Sequence, residues 1–245
     1  MQIALTGATG FIGRRLCVTL AQDNHRVRAL ARNREAAARL LDPRTEILRG
    51  DLDSPEALRR LVSGCDAVIH LAGAVRGTKR QDFDAVNVAG TAQLLRAMDA
   101  VAAQVPLLFF SSLAAREPGL SHYARSKHLA EELLRAGTRE RPCLILRPPA
   151  VYGPGDRELL PVFRFMARTG LAPAAGSAAA RLSLLFVDDL GTLVSAWLGP
   201  CLLYTSDAAA ERSSVDLGGR RIIKKKNTEK KKKHQHLKTT RTSSL

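Results

Sequence analysis

The chain of 245 residues is 45% hydrophobic and 25% charged, with a mean hydropathy of −0.09, a balance that excludes a membrane-embedded chain and a wholly disordered one. Its length is enough for one large domain or two small ones around a real core. A formal net charge of +15 invites a nucleic-acid partner, but the basic residues change in kind along the chain, which argues against one.

The first residues, MQIALTGATG, enter a strand and a glycine turn at once, so no secretory leader is expected. No apolar run approaches the ~18 residues that a membrane span needs. Ile3–Thr6 is predicted as a strand, Phe11–Ala21 as a helix and Arg26–Ala31 as a second strand. A helix over Arg34–Leu41, a strand over Thr45–Leu48 and a helix over Pro55–Leu61 follow, the last with Ser54 placed to cap it. Ala67–Leu71 reads as a buried strand and the region near Phe83–Ala100 as a long helix. Leu107–Ser111, a helix around Tyr123–Ala136 and Cys143–Arg147 complete the alternation. Such an order predicts an α/β fold, a doubly wound parallel sheet with helices on both faces, over residues 1–150. Beyond Val151 the pattern loosens into a YGPGD turn, a helix at Leu159–Thr169, a small-residue loop, a strand at Leu182–Val187 and a helix from Asp188.

The chain changes character near Pro200. Of its 38 Lys and Arg and 23 Asp and Glu, residues 201–245 hold 12 and 4, a net of +8, which leaves +7 for residues 1–200. The first 200 residues use 24 Arg and only two Lys (Lys79 and Lys127), whereas the tail uses 8 Lys and 4 Arg. The stretch 201–209, CLLYTSDAA, resembles a translated sequencing-library adapter, and VDLGGRRIIKKK at 215–226 resembles its continuation into a homopolymer. We therefore expect residues 201–245 to be a foreign, disordered basic tail with no packed core, and residues 151–200 to be an incomplete substrate region. Cys17, Cys65, Cys143 and Cys201 show no CxxC or metal spacing; reduced thiols, a cytoplasmic location and no metal are expected.

Thr6 to Gly13 reads TGATGFIG, a GxxGxxG at the first strand-to-helix turn. Glycine there allows a tight turn and close approach of backbone to a pyrophosphate, and the helix N-terminus offers free N–H groups. Gly7, Thr9, Gly10, Phe11, Ile12 and Gly13 are thus candidate cofactor-binding residues. The second strand ends in VRALARNRE, with Arg32 where an NAD-selective fold usually places an acid. A guanidinium suits a 2′-phosphate, so NADP is expected ahead of NAD. Asp51 and Leu52 follow the third strand and are placed to meet the adenine edge. Leu71, Ala72 and Gly73 end the fourth, where small residues let a cofactor lie against the backbone.

Ser111 and Ser112 end the fifth strand, and Tyr123 follows Ser112 by eleven residues in YARSK. Tyr123 and Lys127 share one helix face at i, i+4. A nearby ammonium and a nicotinamide cation would favour the phenolate, making Tyr123 a general acid/base. Lys127 would also hold ribose hydroxyls, and Ser112 would hydrogen-bond the reacting oxygen. Lysine here is telling, since Arg is used almost everywhere else and cannot relay a proton at neutral pH.

Together TGATGFIG, GDL at 50–52, HLAG at 70–73, NVAGT at 87–91, FSS at 110–112, YARSK at 123–127, RPPAVYGPGD at 147–156 and FVDDL at 186–190 resemble the extended short-chain dehydrogenase/reductase family, in its NAD(P)-dependent epimerase/dehydratase-like branch. The resemblance implies a Rossmann-type domain with a smaller substrate region. By position it makes Ser112, Tyr123 and Lys127 catalytic, and adds Asn87 and Pro148 to the residues around the cofactor. Ala150 stands where nucleotide-sugar members commonly carry Asn, which weakens a nucleotide-sugar assignment. The expected activity is an NAD(P)-dependent oxidoreductase or epimerase acting at a carbinol or carbonyl carbon. The alternative is a non-catalytic NAD(P)-binding subunit or redox sensor. A small-molecule substrate is expected, with a homodimer as one option and neither nucleic acid nor membrane as partner.

Overall fold

The structure is a computed structural model that describes residues 1–137, 141–171, 182–201 and 213–216. In chain order it contains β1 (Gln2–Thr6), α1 (Phe11–Gln22), β2 (Arg26–Ala31), α2 (Arg34–Ala38), β3 (Glu46–Arg49), α3 (Pro55–Val62), β4 (Ala67–His70) and α4 (Arg80–Phe83). A π-helical turn at Asp84–Ala89 leads into α5 (Gly90–Val101), followed by β5 (Leu107–Phe110), a 3-10 turn at Leu113–Arg116, α6 (His122–Gly137) and β6 (Cys143–Arg147). Then come β7 (Ala150–Tyr152), α7 (Leu160–Thr169), β8 (Leu184–Phe186), α8 (Val187–Ala196) and β9 (Ser213–Asp216).

Seven strands form one parallel sheet in the order β3-β2-β1-β4-β5-β6-β9. The order turns back between β1 and β4, so a crevice opens at the carboxyl ends of those two strands, where such sheets bind ligands. Successive strand residues face opposite sides of a sheet. Ile3, Leu5, Leu108 and Phe110 accordingly pack with Leu16 and Leu20 of α1 and Leu190 and Val194 of α8 on one side. Ala4, Val68, Leu107 and Phe109 pack with Leu58 and Leu61 of α3, Leu94 and Met98 of α5 and Leu134 of α6 on the other. Burial on both faces is why these strands read as unbroken apolar runs rather than alternating ones.

The expected doubly wound sheet is present, with local differences. Ser54 does not cap α3; its hydroxyl donates instead to Asp51 Oδ1 at 2.6 Å. The expected strand at Leu182–Val187 shortens to β8, which pairs in parallel with β7, a strand too short for the pattern to reveal. The helix expected near Phe83 begins three residues earlier with α4 and is interrupted by a π turn before α5. Of the tail, expected to form no packed domain and at most a stray surface helix or strand, Ser213–Asp216 forms β9, which pairs with β6 in the register Leu144↔Ser213 to Arg147↔Asp216. Main-chain pairing to an open sheet edge asks little of side-chain identity. Leu202, Leu203, Tyr204, Leu217, Ile222 and Ile223, whose packing would decide whether the tail has a core, lie outside the described residues.

No residue of α7 is buried; Val162 is 38% and Phe165 47% exposed, and Leu182 beyond it is 76% exposed. Among the described residues no helix is long and apolar enough to cross a membrane.

Gly7 carries the closest constraint between β1 and β4. Its φ is +74°, and a β-carbon there would lie 2.6 Å from the Ala72 backbone nitrogen. Gly7→Ala is therefore expected to lower stability by about 1–3 kcal/mol. Urea unfolding should show an earlier midpoint with unchanged slope; an unchanged midpoint would mean the two strands can part without cost.

Candidate functional site

The glycine turn hands β1 directly to α1. Gly10 is the residue before the 12-residue helix, no side chain caps it, and the first turn holds no acid. Gly10 N–H donates back to Gly7 O at 3.1 Å, which tightens the turn. The first N–H groups of a helix have no partner within it and carry a partial positive charge. Gly7, Thr9, Gly10, Phe11, Ile12 and Gly13 line a cleft of about 720 Å³, a size that suits a small-molecule or cofactor site. Gly13 is required by packing, since a β-carbon there would fall 2.2 Å from Gly7 O.

Beneath the turn runs a chain of buried hydrogen bonds. Ala72 N–H donates to Thr6 Oγ1 at 3.2 Å, and Thr6 Oγ1 lies 2.6 Å from His70 Nδ1. His70 Nε2 lies 3.0 Å from Thr91 Oγ1, which in turn donates to Asn87 O at 2.7 Å. Thr91 has one hydroxyl proton and gives it to that carbonyl. His70 must therefore donate from Nε2 and accept at Nδ1, which makes it the neutral Nε2–H tautomer. Burial, joined by the charge of Lys127, pushes His70 down to about 3. Asn87, 1% exposed, accepts from Ala74 N at 2.8 Å and donates to Ala74 O at 3.0 Å and to Ser126 Oγ at 2.8 Å. Ser126 Oγ also donates to Tyr123 O at 2.8 Å.

On the opposite wall stand Ser112, Tyr123 and Lys127, all lining the same cleft. Burial raises the Tyr123 phenol above its ordinary value, and the hydrogen bond from Ser112 opposes that rise. Burial thus opposes the phenolate expected beside Lys127, and that form would depend on a bound nicotinamide cation as well. Lys127 is 4% exposed. Its Nζ donates to Phe110 O at 2.8 Å and lies 5.0 Å from the centre of the Phe109 ring. Burial pulls Lys127 down to about 8, against the opposing effect of Glu131.

Leu71, Gly73 and Pro148 also line the cleft, whereas Arg32, Asp51, Leu52, Ala72 and Asn87 do not. Arg32 is exposed at the end of β2. Asp51 accepts from Asp53 N and Ser54 Oγ. Leu52 packs on Gly90, where a β-carbon would sit 2.5 Å from its Cδ1. Asn87 spends its side chain on Ala74 and Ser126, so its part is to hold the loop after β4. Arg14, Leu40, Val75 and the turn from Gly155 to Leu159 line the cleft without having been read from the sequence. Arg14 follows the last glycine by one residue, the only signal that could have marked it. Arg76 and Glu158 pair at 2.6 Å across the two loops.

The neutral His70 makes a prediction about acid stability. Above pH ~6.5 both folded and unfolded forms are neutral. As pH falls, the unfolded chain takes the proton and the folded one refuses it until about pH 3, so stability drops through that window. Between pH 7 and 5 this amounts to about 2 kcal/mol. Urea unfolding should show the parent losing that much more than His70→Gln; equal losses would contradict a neutral, proton-excluding His70.

The chain is similar to several known proteins. A ceramide reductase from Caulobacter vibrioides is 42% identical over 187 residues, covering 76% of this chain and 57% of that protein. A 2-alkyl-3-oxoalkanoate reductase from Stenotrophomonas maltophilia is 29% identical over 211 residues, covering 77% and 62%. The chain thus spans about three fifths of these relatives. The solved structure of MoeE5 in complex with UDP-glucose and NAD is 25% identical with a TM-score of 0.66, covering 89% of this chain and 76% of that one. The model for the NAD dependent epimerase/dehydratase family matches residues 3–199, and the chain belongs to that family.

Proposed function

We propose that this chain is the cofactor-binding portion of an NADP(H)-dependent reductase that converts a ketone on an alkyl-bearing substrate to an alcohol, with Tyr123 as proton donor. The observation that carries this reading is the meeting of Ser112, Tyr123 and Lys127 with the glycine turn in one cleft. The uncapped start of α1 fits a dinucleotide's diphosphate in both charge and donors. When bound, the nicotinamide supplies the hydride. The Tyr123 hydroxyl gives its proton to the substrate oxygen as that oxygen gains negative charge, and the Ser112 hydroxyl hydrogen-bonds the same oxygen. Lys127, fixed by Phe110 O, presents its ammonium near the phenol and the ribose hydroxyls.

Both relatives described above bear the name reductase, and the second acts by name on 2-alkyl-3-oxoalkanoates. The apolar side chains that line the cleft, Val75 at 61% and Leu40 at 48% exposure, suit alkyl chains better than a sugar. We assign residues 1–150 to the cofactor domain and 151–200 to part of a substrate region, and read 201–245 as foreign. Arg32, with Arg34 behind it and no acid at that position, favours a 2′-phosphate.

With NADPH and a 2-alkyl-3-oxoalkanoate, absorbance at the nicotinamide band should fall, and it should not fall with UDP-glucose. Tyr123→Phe should lower kcat at least about 100-fold while leaving the NADPH Kd within about twofold. Turnover close to the parent would move the proton donor elsewhere. Arg32→Asp should weaken NADPH by about 10–100-fold and spare NADH. Equal affinity of the parent for both cofactors would reject the assignment of Arg32.

A further inference from the structure

Positions 14 and 15 are adjacent arginines near the start of α1, and the fold puts them to different uses. Arg15 turns to α8 and pairs with Asp188 at 2.6 Å. Arg14 lines the cleft instead. Its N–H donates to Gly10 O at 3.0 Å and closes the first turn of the helix, so Arg14 shares a face with Gly10 and Phe11. A helical side chain leans back over the turn before it. The guanidinium accordingly comes up beside Phe11 and against the turn after β7. A β-carbon placed on Gly155 would lie 3.4 Å from Arg14 Nη2 and 3.8 Å from Phe11 Cδ2.

The other charges of the cleft and the core are already engaged within the fold. Asp156 accepts from Glu158 N at 2.8 Å and Leu159 N at 3.1 Å, and Glu158 pairs with Arg76. Lys127 donates to Phe110 O. In the core, Glu131 accepts from Ser111 Oγ at 2.5 Å and pairs with Arg147 at 2.5 Å and Arg135 at 2.9 Å. Arg157 is exposed to solvent. Arg14 is half-buried, and among the described residues its side chain has neither a hydrogen bond nor an ion pair. A cation near a helix N-terminus also works against the helix dipole, and the first turn of α1 holds no acid to offset it. An anion bound in the cleft beside this turn would reverse the sign of both effects.

We propose that Arg14 binds the diphosphate of the dinucleotide, adding a charged, two-pronged donor to the N–H groups at the start of α1 and joining the bound cofactor to the Gly155 turn. This rests on the reading of the cleft as a dinucleotide site. A guanidinium carries paired N–H groups in one plane, which match two oxygens of a phosphate group. Gly155, at φ +94°, presents bare backbone beside that plane. The two arginines of the cofactor site then have separate tasks. Arg32 acts on the 2′-phosphate and concerns NADPH alone, whereas Arg14 acts on a group that NADPH and NADH share.

The test is to measure binding of NADPH, NADH and ADP-ribose by titration calorimetry, and Tm without ligand, in the parent, Arg14→Met, Arg14→Lys and Arg32→Asp. Arg14→Met should weaken all three ligands by a similar factor, about 10-fold. Arg14→Lys should fall between, because lysine keeps the charge but not the paired donors. The ligand-free Tm of Arg14→Met should equal or exceed the parent's, since Arg14 opposes the helix dipole; a side chain that merely supported the fold would lower it. Arg32→Asp should weaken NADPH alone. Weakening of NADPH alone by Arg14→Met would move Arg14 to the 2′-phosphate. Unchanged affinities, or a loss that accompanies a lowered ligand-free Tm, would make it a structural residue. Each of these results overturns the proposal. A parent that binds none of the three ligands removes the dinucleotide reading of the cleft, and the proposal with it. A parent that binds them while Arg14→Met changes nothing keeps that reading and rejects Arg14 alone.

Discussion

Burying a histidine with both ring nitrogens satisfied is the constraint on which the rest of the cleft depends. His70 sits at the end of β4 with 0% exposure, between Thr6 of β1 and Thr91 of α5. An unpaired polar group in that position would cost about 1–3 kcal/mol, so the three elements are held to one mutual spacing. That spacing brings Ala72 N within reach of Thr6 and leaves room only for glycine at position 7. Through Asn87 and Ser126 the same line of bonds reaches the backbone of Tyr123. The two walls of the cleft are therefore fastened to one another from below, while the space above stays open.

Charge is handled differently above and below the sheet ends. Surface pairs such as Arg59–Glu56 and Arg80–Asp84 lie one turn apart on their own helices, where each adds little. Around Lys127 the charges are dry and come from separate elements, α6 and β6. An arginine at position 127 would stay charged without help and could not adjust its proton. A lysine can. The chain's near-total preference for arginine over lysine before residue 200 breaks at two positions, Lys79 and Lys127.

Much of this was legible before any coordinates. The alternation of apolar runs with helical periodicity marks a doubly wound sheet, because β1, β4 and β5 are covered on both faces. Glycine spacing marks the α1 turn, since few other sequences can fold there. What stayed hidden depends on partners far apart in sequence. The Ser111–Glu131–Arg147 cluster spans three elements, and no local pattern says that Glu131 points inward rather than to solvent, as Glu132 does beside it. The resemblance puts Asn87 near the site in a structural rather than a chemical part, and its side-chain bonds to Ala74 and Ser126 are internal. β9 went unread because a strand at a sheet edge is held by backbone, not by pattern.

The π turn at Asp84–Ala89 has a bearing on how chain length can vary here. Such a turn holds one residue more than an α-helical turn, and this one sets the phase of everything after it. Removing a single residue would rotate α5 by about 100°. Thr91 would swing away from His70, and Leu94 and Met98, both 0% exposed, would leave the core together. The stretch from Val75 to Thr78, exposed on the cleft rim, faces no such phase condition. Insertions and deletions among relatives should therefore gather on the rim loop and spare the six residues beside it, making the π turn a fixed count against which the rest of the site is indexed.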